Sequence, residues 1–133
     1  MNIALIAHDT KKELMVAFCI AYKGILQSHS LIATGTTGSM IMEQTGLNIN
    51  MCAPGLLGEQ QIAARVAYNE IDLVIFLRDP VSPKSHEPDI TLLLQHCDTN
   101  NIPFATNVAT AEMLIKSLDR GDLAWRELIN PSY

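Results

Sequence analysis

Two short apolar runs constrain the fold more than anything else in the chain. Asn2-Ile3-Ala4-Leu5-Ile6-Ala7 and Asp72-Leu73-Val74-Ile75-Phe76-Leu77 are almost unbroken in hydrophobicity. They are too short for core helices and show no polar alternation. A strand covered on both faces reads this way, and that environment belongs to central strands of a parallel sheet packed between helices. The segments between and after these runs carry helical periodicity. Leu14, Phe18, Ala21 and Ile25 lie on one helical face, as do Ile62 and Val66, and as do Ile90, Leu93, Leu94 and Cys97. Further strands are expected at residues 31–33, 48–52 and 102–105, and a last helix at 109–118. The alternation predicts an α/β fold, a three-layer open parallel sheet of about five strands with helices on both faces. No repeat, linker or low-complexity segment interrupts it, so residues 1–133 are expected to form a single domain.

Composition narrows the function. The chain is 48% hydrophobic and 17% charged, which suits a packed core. Its net charge is −5 and no Lys/Arg run occurs, which argues against nucleic acid as a partner. No apolar stretch reaches membrane-spanning length and no secretory leader is evident, so a cytoplasmic protein is expected. The three cysteines Cys19, Cys52 and Cys97 show no C-x-x-C spacing. Cys19 and Cys97 fall in helical stretches and read as core packing.

In open parallel sheets, ligands bind outside the carboxyl ends of the strands. The polar residues collect there. Strand one ends in His8 and Asp9, and strand two in Ala33-Thr34-Gly35-Thr36-Thr37-Gly38. Strand three leads to Gly55 and Glu59, strand four to Asp79 with His86 and Asp89 beyond, and strand five to Thr106 and Asn107. At the opposite ends stand Gln27, Asn69, Glu70, Asn100 and Asn101, which read as solvent-facing. The A-T-G-T-T-G stretch, with a helix expected from Gly38, offers backbone N–H groups and threonine hydroxyls to an anion, phosphate first of all. A plain strand-to-helix turn would use the same residues.

Plain readings exist for the rest. Thr10-Lys11-Lys12-Glu13 has the form of a capping box, with Asp9 as a rival cap. Asp89, and Glu59 at the expected opening of its helix, suit first helical turns through the dipole. Lys12 suits a solvated face, Asp79 before Pro80 a turn, and His86 a surface loop. Taken together, a carboxylate and a neutral imidazole beside a phosphate pocket can move a proton next to a carbonyl. His86-x-x-Asp89 and His8-Asp9 could instead contribute metal ligands, a weaker reading because neither has a strong metal spacing. Residues 119–133 hold Trp125 as their one large apolar anchor and read as a short helix or tail packed on the surface or on a partner chain.

The chain resembles the methylglyoxal synthase family from end to end. The resemblance rests on A-L-I-A-H-D at residues 4–9, Lys12, A-T-G-T-T-G at 33–38 and Gln60-Gln61. It continues in D-L-V-I-F-L-R-D-P at 72–80, His86-Glu87-Pro88-Asp89 and I-P-F-A-T-N at 102–107. It implies a phosphate-eliminating lyase that turns dihydroxyacetone phosphate into methylglyoxal and inorganic phosphate through an enediolate. No cofactor or metal is implied. A cytoplasmic homohexamer is implied, inhibited by phosphate. Lys12, Thr34, Gly35, Thr36, Thr37 and Gly55 would hold the phosphate, with Pro54 beside them and His8 lining the substrate site. His86 would face the carbonyl, and Asp9, Asp79 and Asp89 would form a carboxylate network. The family pattern S-G-P-x-G-G-D-Q-Q appears here as Pro54-Gly55-Leu56-Leu57-Gly58-Glu59-Gln60-Gln61. One glycine is absent, proline replaces serine, and Glu59 takes the place of the aspartate base. A catalytically weak module of the same fold that senses a phosphorylated metabolite is the alternative reading.

Overall fold

A computed structural model describes residues 1–81 and 90–129. Five strands lie in it: β1 Asn2–Ala7, β2 Ser30–Ala33, β3 Ile49–Met51, β4 Leu73–Leu77 and β5 Phe104–Ala105. Their order across the sheet is β3-β2-β1-β4-β5. Every neighbouring pair is parallel. Among the described residues seven α-helices connect and flank them: α1 Lys12–Ala21, α2 Lys23–Leu26, α3 Gly35–Thr45, α4 Gly55–Ala67, α5 Ile90–Asn100, α6 Val108–Asp119 and α7 Arg126–Ile129.

Strand alternation splits the core in two. Ile3, Leu5, Leu73, Ile75 and Leu77 point to one face, where Met15 and Phe18 of α1, Ile41 of α3 and Ile115 of α6 pack on them. Ala4, Ile6, Val74 and Phe76 point to the other, against Ile62 and Val66 of α4 and Leu93 and Cys97 of α5. Both faces of β1 and β4 are therefore dry, which is why those two runs show no polar alternation. Each large side chain buried in this way contributes about 1.5–3 kcal/mol relative to exposure.

Several local expectations are corrected. Helix α3 begins at Gly35 and α4 at Gly55, three to four residues before the expected starts at Gly38 and Glu59. The capping box does not form. Asp9–Lys11 make a 3-10 turn instead, and the Thr10 hydroxyl donates to Asp79 Oδ2 at 2.9 Å. The first long helix breaks at Tyr22, whose φ of −112° is not helical, and α2 completes it. In the tail, Trp125 is 45% exposed, and the anchor is its neighbour Arg126, fully buried. The Arg126 guanidinium donates to Asp72 Oδ1 at 3.1 Å, to Asn69 Oδ1 at 2.6 Å and to the carbonyls of Ile71, Asn100 and Asn101. The asparagines read as solvent-facing thus form the seat of a buried cation.

Candidate active site

Strands β2 and β3 lie to one side of β1, and β4 and β5 to the other. The direction of winding reverses between β1 and β4, and a crevice opens there at the carboxyl ends. His8 and Asp79 sit at that point. The His8 N–H donates to Leu77 O at 3.0 Å, and the Asp79 N–H donates to His8 Nδ1 at 2.7 Å. With Nδ1 accepting, the neutral ring carries its proton on Nε2. His8 is 4% exposed, and Nε2 is buried with no hydrogen-bond partner among the described residues. Its ring meets Phe76 edge-on, with centroids 5.3 Å apart. Asp79 ties the edge together: Oδ2 accepts from Thr10, and Oδ1 accepts from the Val81 N–H at 2.9 Å. Asp9 holds Lys12 Nζ at 2.7 Å, and the lysine side chain is only 20% exposed.

The first turn of α3 supplies donors. Its first backbone bond runs from the Gly38 N–H to Thr34 O at 2.7 Å. The N–H groups of Gly35, Thr36 and Thr37 precede that bond and have no partner within the helix. Thr34 is the N-cap residue, yet its hydroxyl does not cap the helix. Thr37 Oγ1 is buried without a hydrogen-bond partner among the described residues. The start of α4 lies against this turn. A Cβ on Gly35 would come within 3.2 Å of Pro54 Cβ, and one on Gly58 within 3.3 Å of Thr34 Cγ2. Pro54 is the N-cap of α4, and Gly55 follows it with φ +70°, a left-handed conformation that glycine adopts without strain. The positive ends of two helices therefore converge on one spot, which favours an anion.

Glu59 follows in the first turns of α4. It is half-buried, with Oε2 closed off from solvent. It lines a cavity of about 210 Å³ together with Ile6, Phe76 and Leu93. Glu59 and His8 thus border the same phenyl ring. Gln61, two residues further on, accepts the Ala53 N–H on Oε1 at 2.9 Å and pins the loop before α4.

Of the residues singled out from the sequence, His8, Asp9, Lys12, Thr34, Gly35, Thr36, Thr37, Pro54, Gly55, Glu59 and Asp79 lie along the carboxyl edge. His86 and Asp89 lie outside the described residues, and the possible metal pair of His86 and Asp89 lies there with them. Sequence reasoning gave no role at the site to Gly58, Gln61 or Phe76. Gly58 and Gln61 act through backbone contacts that leave no periodic trace, and Phe76 is indistinguishable from the rest of its apolar strand. Among the described residues, no helix is long and apolar enough to cross a membrane.

The fold and the edge define an open α/β protein in which two helix starts converge, with the half-buried Glu59 carboxylate on the second of them. A family model described as the MGS-like domain matches residues 15–106. The chain is 65% identical to the methylglyoxal synthase of Caldicellulosiruptor saccharolyticus, over 98% of this chain and 94% of that protein. It is 60% identical to the methylglyoxal synthase of Thermoanaerobacter sp. strain X514, over 96% of this chain and 98% of that one. The crystal structure of methylglyoxal synthase from Elizabethkingia anophelis NUHP1 superimposes with a TM-score of 0.82 at 39% identity, covering 86% of this chain and 76% of that one. The chain belongs to the methylglyoxal synthase family.

Proposed function

We propose that the chain catalyses the reaction for which its family is named, the elimination of inorganic phosphate from dihydroxyacetone phosphate to leave methylglyoxal. One observation carries the proposal beyond family membership. His8 Nε2 and Thr37 Oγ1 are buried polar atoms without hydrogen-bond partners among the described residues, beside the unbonded amides of α3. A buried group left unsatisfied costs about 1–3 kcal/mol, a deficit that a bound phosphorylated ligand would remove.

In this reading the substrate phosphate sits on the Gly35, Thr36 and Thr37 amides, the Thr34 and Thr37 hydroxyls, Gly55 and Lys12. Pro54 shapes the neighbouring wall. Glu59 removes a proton from the hydroxymethyl carbon. The electron pair moves onto the carbonyl oxygen and forms the enediolate, which imidazole N–H groups of His8 and His86 stabilise. The hydroxyl of the deprotonated carbon then releases its proton and becomes the aldehyde. The double bond shifts, and the carbon–oxygen bond to phosphate breaks. The resulting enolate takes up a proton on its terminal carbon to give methylglyoxal. Asp9 holds Lys12 in place, Asp79 holds His8, and Asp89 completes the carboxylate network. No metal or cofactor enters. We further propose a cytoplasmic homohexamer of single-domain chains, inhibited by its product phosphate. The exposed Met113, Leu128 and Ile129 are apolar surface that such an assembly would cover.

Purified chain incubated with dihydroxyacetone phosphate in excess chelator should release phosphate and methylglyoxal in equal amounts. Release that requires an added divalent ion would overturn the metal-free step. Binding of phosphate without any release would favour a metabolite-sensing module instead.

A further inference from the structure

We infer that a second anion site lies on the opposite face of the same sheet edge, where a recess of about 330 Å³ takes a small phosphorylated or multiply carboxylated acid between Lys11 and Arg78. The alternation of β4 separates the two sites. Phe76 points toward α4 and α5 and lines the cavity of Glu59. Leu77 points toward α1 and α6 and lines the recess, with Leu14 and Val108. The sheet itself stands between them.

Charge argues for an anion. The chain has a net charge of −5, yet two cations face this one recess. Among the described residues neither Lys11 nor Arg78 belongs to an ion pair. The neighbouring carboxylates are committed elsewhere: Asp9 to Lys12, Asp79 to Thr10 and the Val81 amide. Two like charges gathered without a counter-charge repel, and an anion between them reverses the sign of that interaction. Thr106 adds a hydroxyl to the lining. The start of α6 adds amides, because Asn107 caps only Thr110, at 3.0 Å, and the Val108 and Ala109 N–H groups precede the first helical bond.

Size and polarity argue for an organic anion over a bare ion. About 330 Å³ is at the lower end of the range for small-molecule pockets. Leu14, Leu77 and Val108 offer a carbon skeleton an apolar floor that inorganic phosphate cannot use. The recess shares its walls with the catalytic edge: Lys11 adjoins Lys12, and Arg78 adjoins Asp79, which holds His8. An occupant is therefore one residue away from a group of the reaction site on each side: Lys12 through Lys11, and Asp79 through Arg78.

The test is calorimetric titration of 3-phosphoglycerate into the full chain at fixed ionic strength. Two classes of site per chain are expected. Lys12→Ala should remove one class. Lys11→Gln combined with Arg78→Gln should weaken the other at least tenfold, with the thermal unfolding midpoint and the turnover of dihydroxyacetone phosphate unchanged. Inorganic phosphate should bind this second class at least tenfold more weakly than 3-phosphoglycerate. A single class abolished by Lys12→Ala overturns the inference, and so do two classes that both survive in the double variant. Equal affinity for inorganic phosphate overturns the organic part. A single class that ignores Lys12→Ala and vanishes in the double variant supports the second site and counts against the catalytic edge as a phosphate site.

Discussion

Replacing Gly58 with alanine should slow turnover by about a hundredfold or more, although alanine is ordinarily the better helix former by about 1 kcal/mol. The reason lies in backbone contact. A Cβ at position 58 would stand 1.7 Å from Ala53 O and 2.8 Å from Ala53 C. Real Cβ contacts essentially never fall below 3.0 Å, so the pair must separate by about 1.3 Å. The loop side cannot easily yield, because the Ala53 N–H is held by Gln61 Oε1 and Cys52 N–H by Ala33 O. The start of α4 must move, and Glu59 is the next residue. About 1 Å of misplacement at a reacting group costs on the order of a hundredfold in rate. Overpacking of this kind also costs about 1–3 kcal/mol of stability. For a domain of this size that lowers the unfolding midpoint by roughly 4–11 °C.

The assay is methylglyoxal release at saturating substrate, beside a calorimetric melt of the same preparation. Gly24→Ala is the control, since a Cβ there meets nothing within 4 Å; its rate and midpoint should match or exceed the parent's. A Gly58→Ala chain with a rate within threefold of the parent and an unshifted midpoint would refute the claim that this contact sets the position of Glu59.

Three further outcomes are expected. Glu59→Gln keeps the side-chain shape but loses the basic oxygen, so turnover should fall at least a thousandfold while phosphate still binds in calorimetry; parental turnover would move the base to another carboxylate. Arg126→Met leaves Asp72 charged and 5% exposed, along with the carbonyls it served, at a cost of about 3–5 kcal/mol; the midpoint should drop by roughly 10–20 °C, and the Asp72→Asn, Arg126→Met double variant should lose less than the two single losses combined. Burial pushes the Cys19 and Cys97 thiols up to about 12, whereas Cys52 is raised less and is half-buried; in the native chain at pH 8 a thiol reagent should modify Cys52 alone, and rapid modification of two or more would contradict the packing.

Most of the layer plan was legible because burial on both faces leaves a compositional mark. The runs at β1 and β4 are apolar without alternation, and only a covered parallel strand has that need. The carboxyl-edge rule then placed His8, Asp9, Thr34, Glu59 and Asp79 on one rim before any contact was known. The opposite rim was misread for a physical reason. Asn69, Asn100 and Asn101 look like turn residues, and two of them do take left-handed φ, 58° and 54°. Nothing local shows that Arg126, a residue type almost never fully buried without partners, arrives from the far end of the chain to be solvated by them. Long-range polar solvation has no period, so it stays invisible until the chain is folded. Trp125 was the better anchor by hydrophobicity, but the adjoining guanidinium found five acceptors and went inside.

The misplaced helix starts have a deeper cause. Gly35, Gly55 and Gly58 fell outside the expected helices and Gly38 only at the start of one, since glycine in a helix costs about 1 kcal/mol against alanine. Three of the four have a neighbour close to where a Cβ would stand: the backbone of Ala53 leaves no room for one at Gly58, Pro54 Cβ is tight at 3.2 Å from Gly35, and the movable Met51 Sδ lies against Gly38. The propensity cost is the condition for pressing α3 and α4 together at their positive ends. Two helices whose first turns carried ordinary side chains would stand further apart. The features that hid the helices from a propensity argument therefore shape the proposed anion pocket.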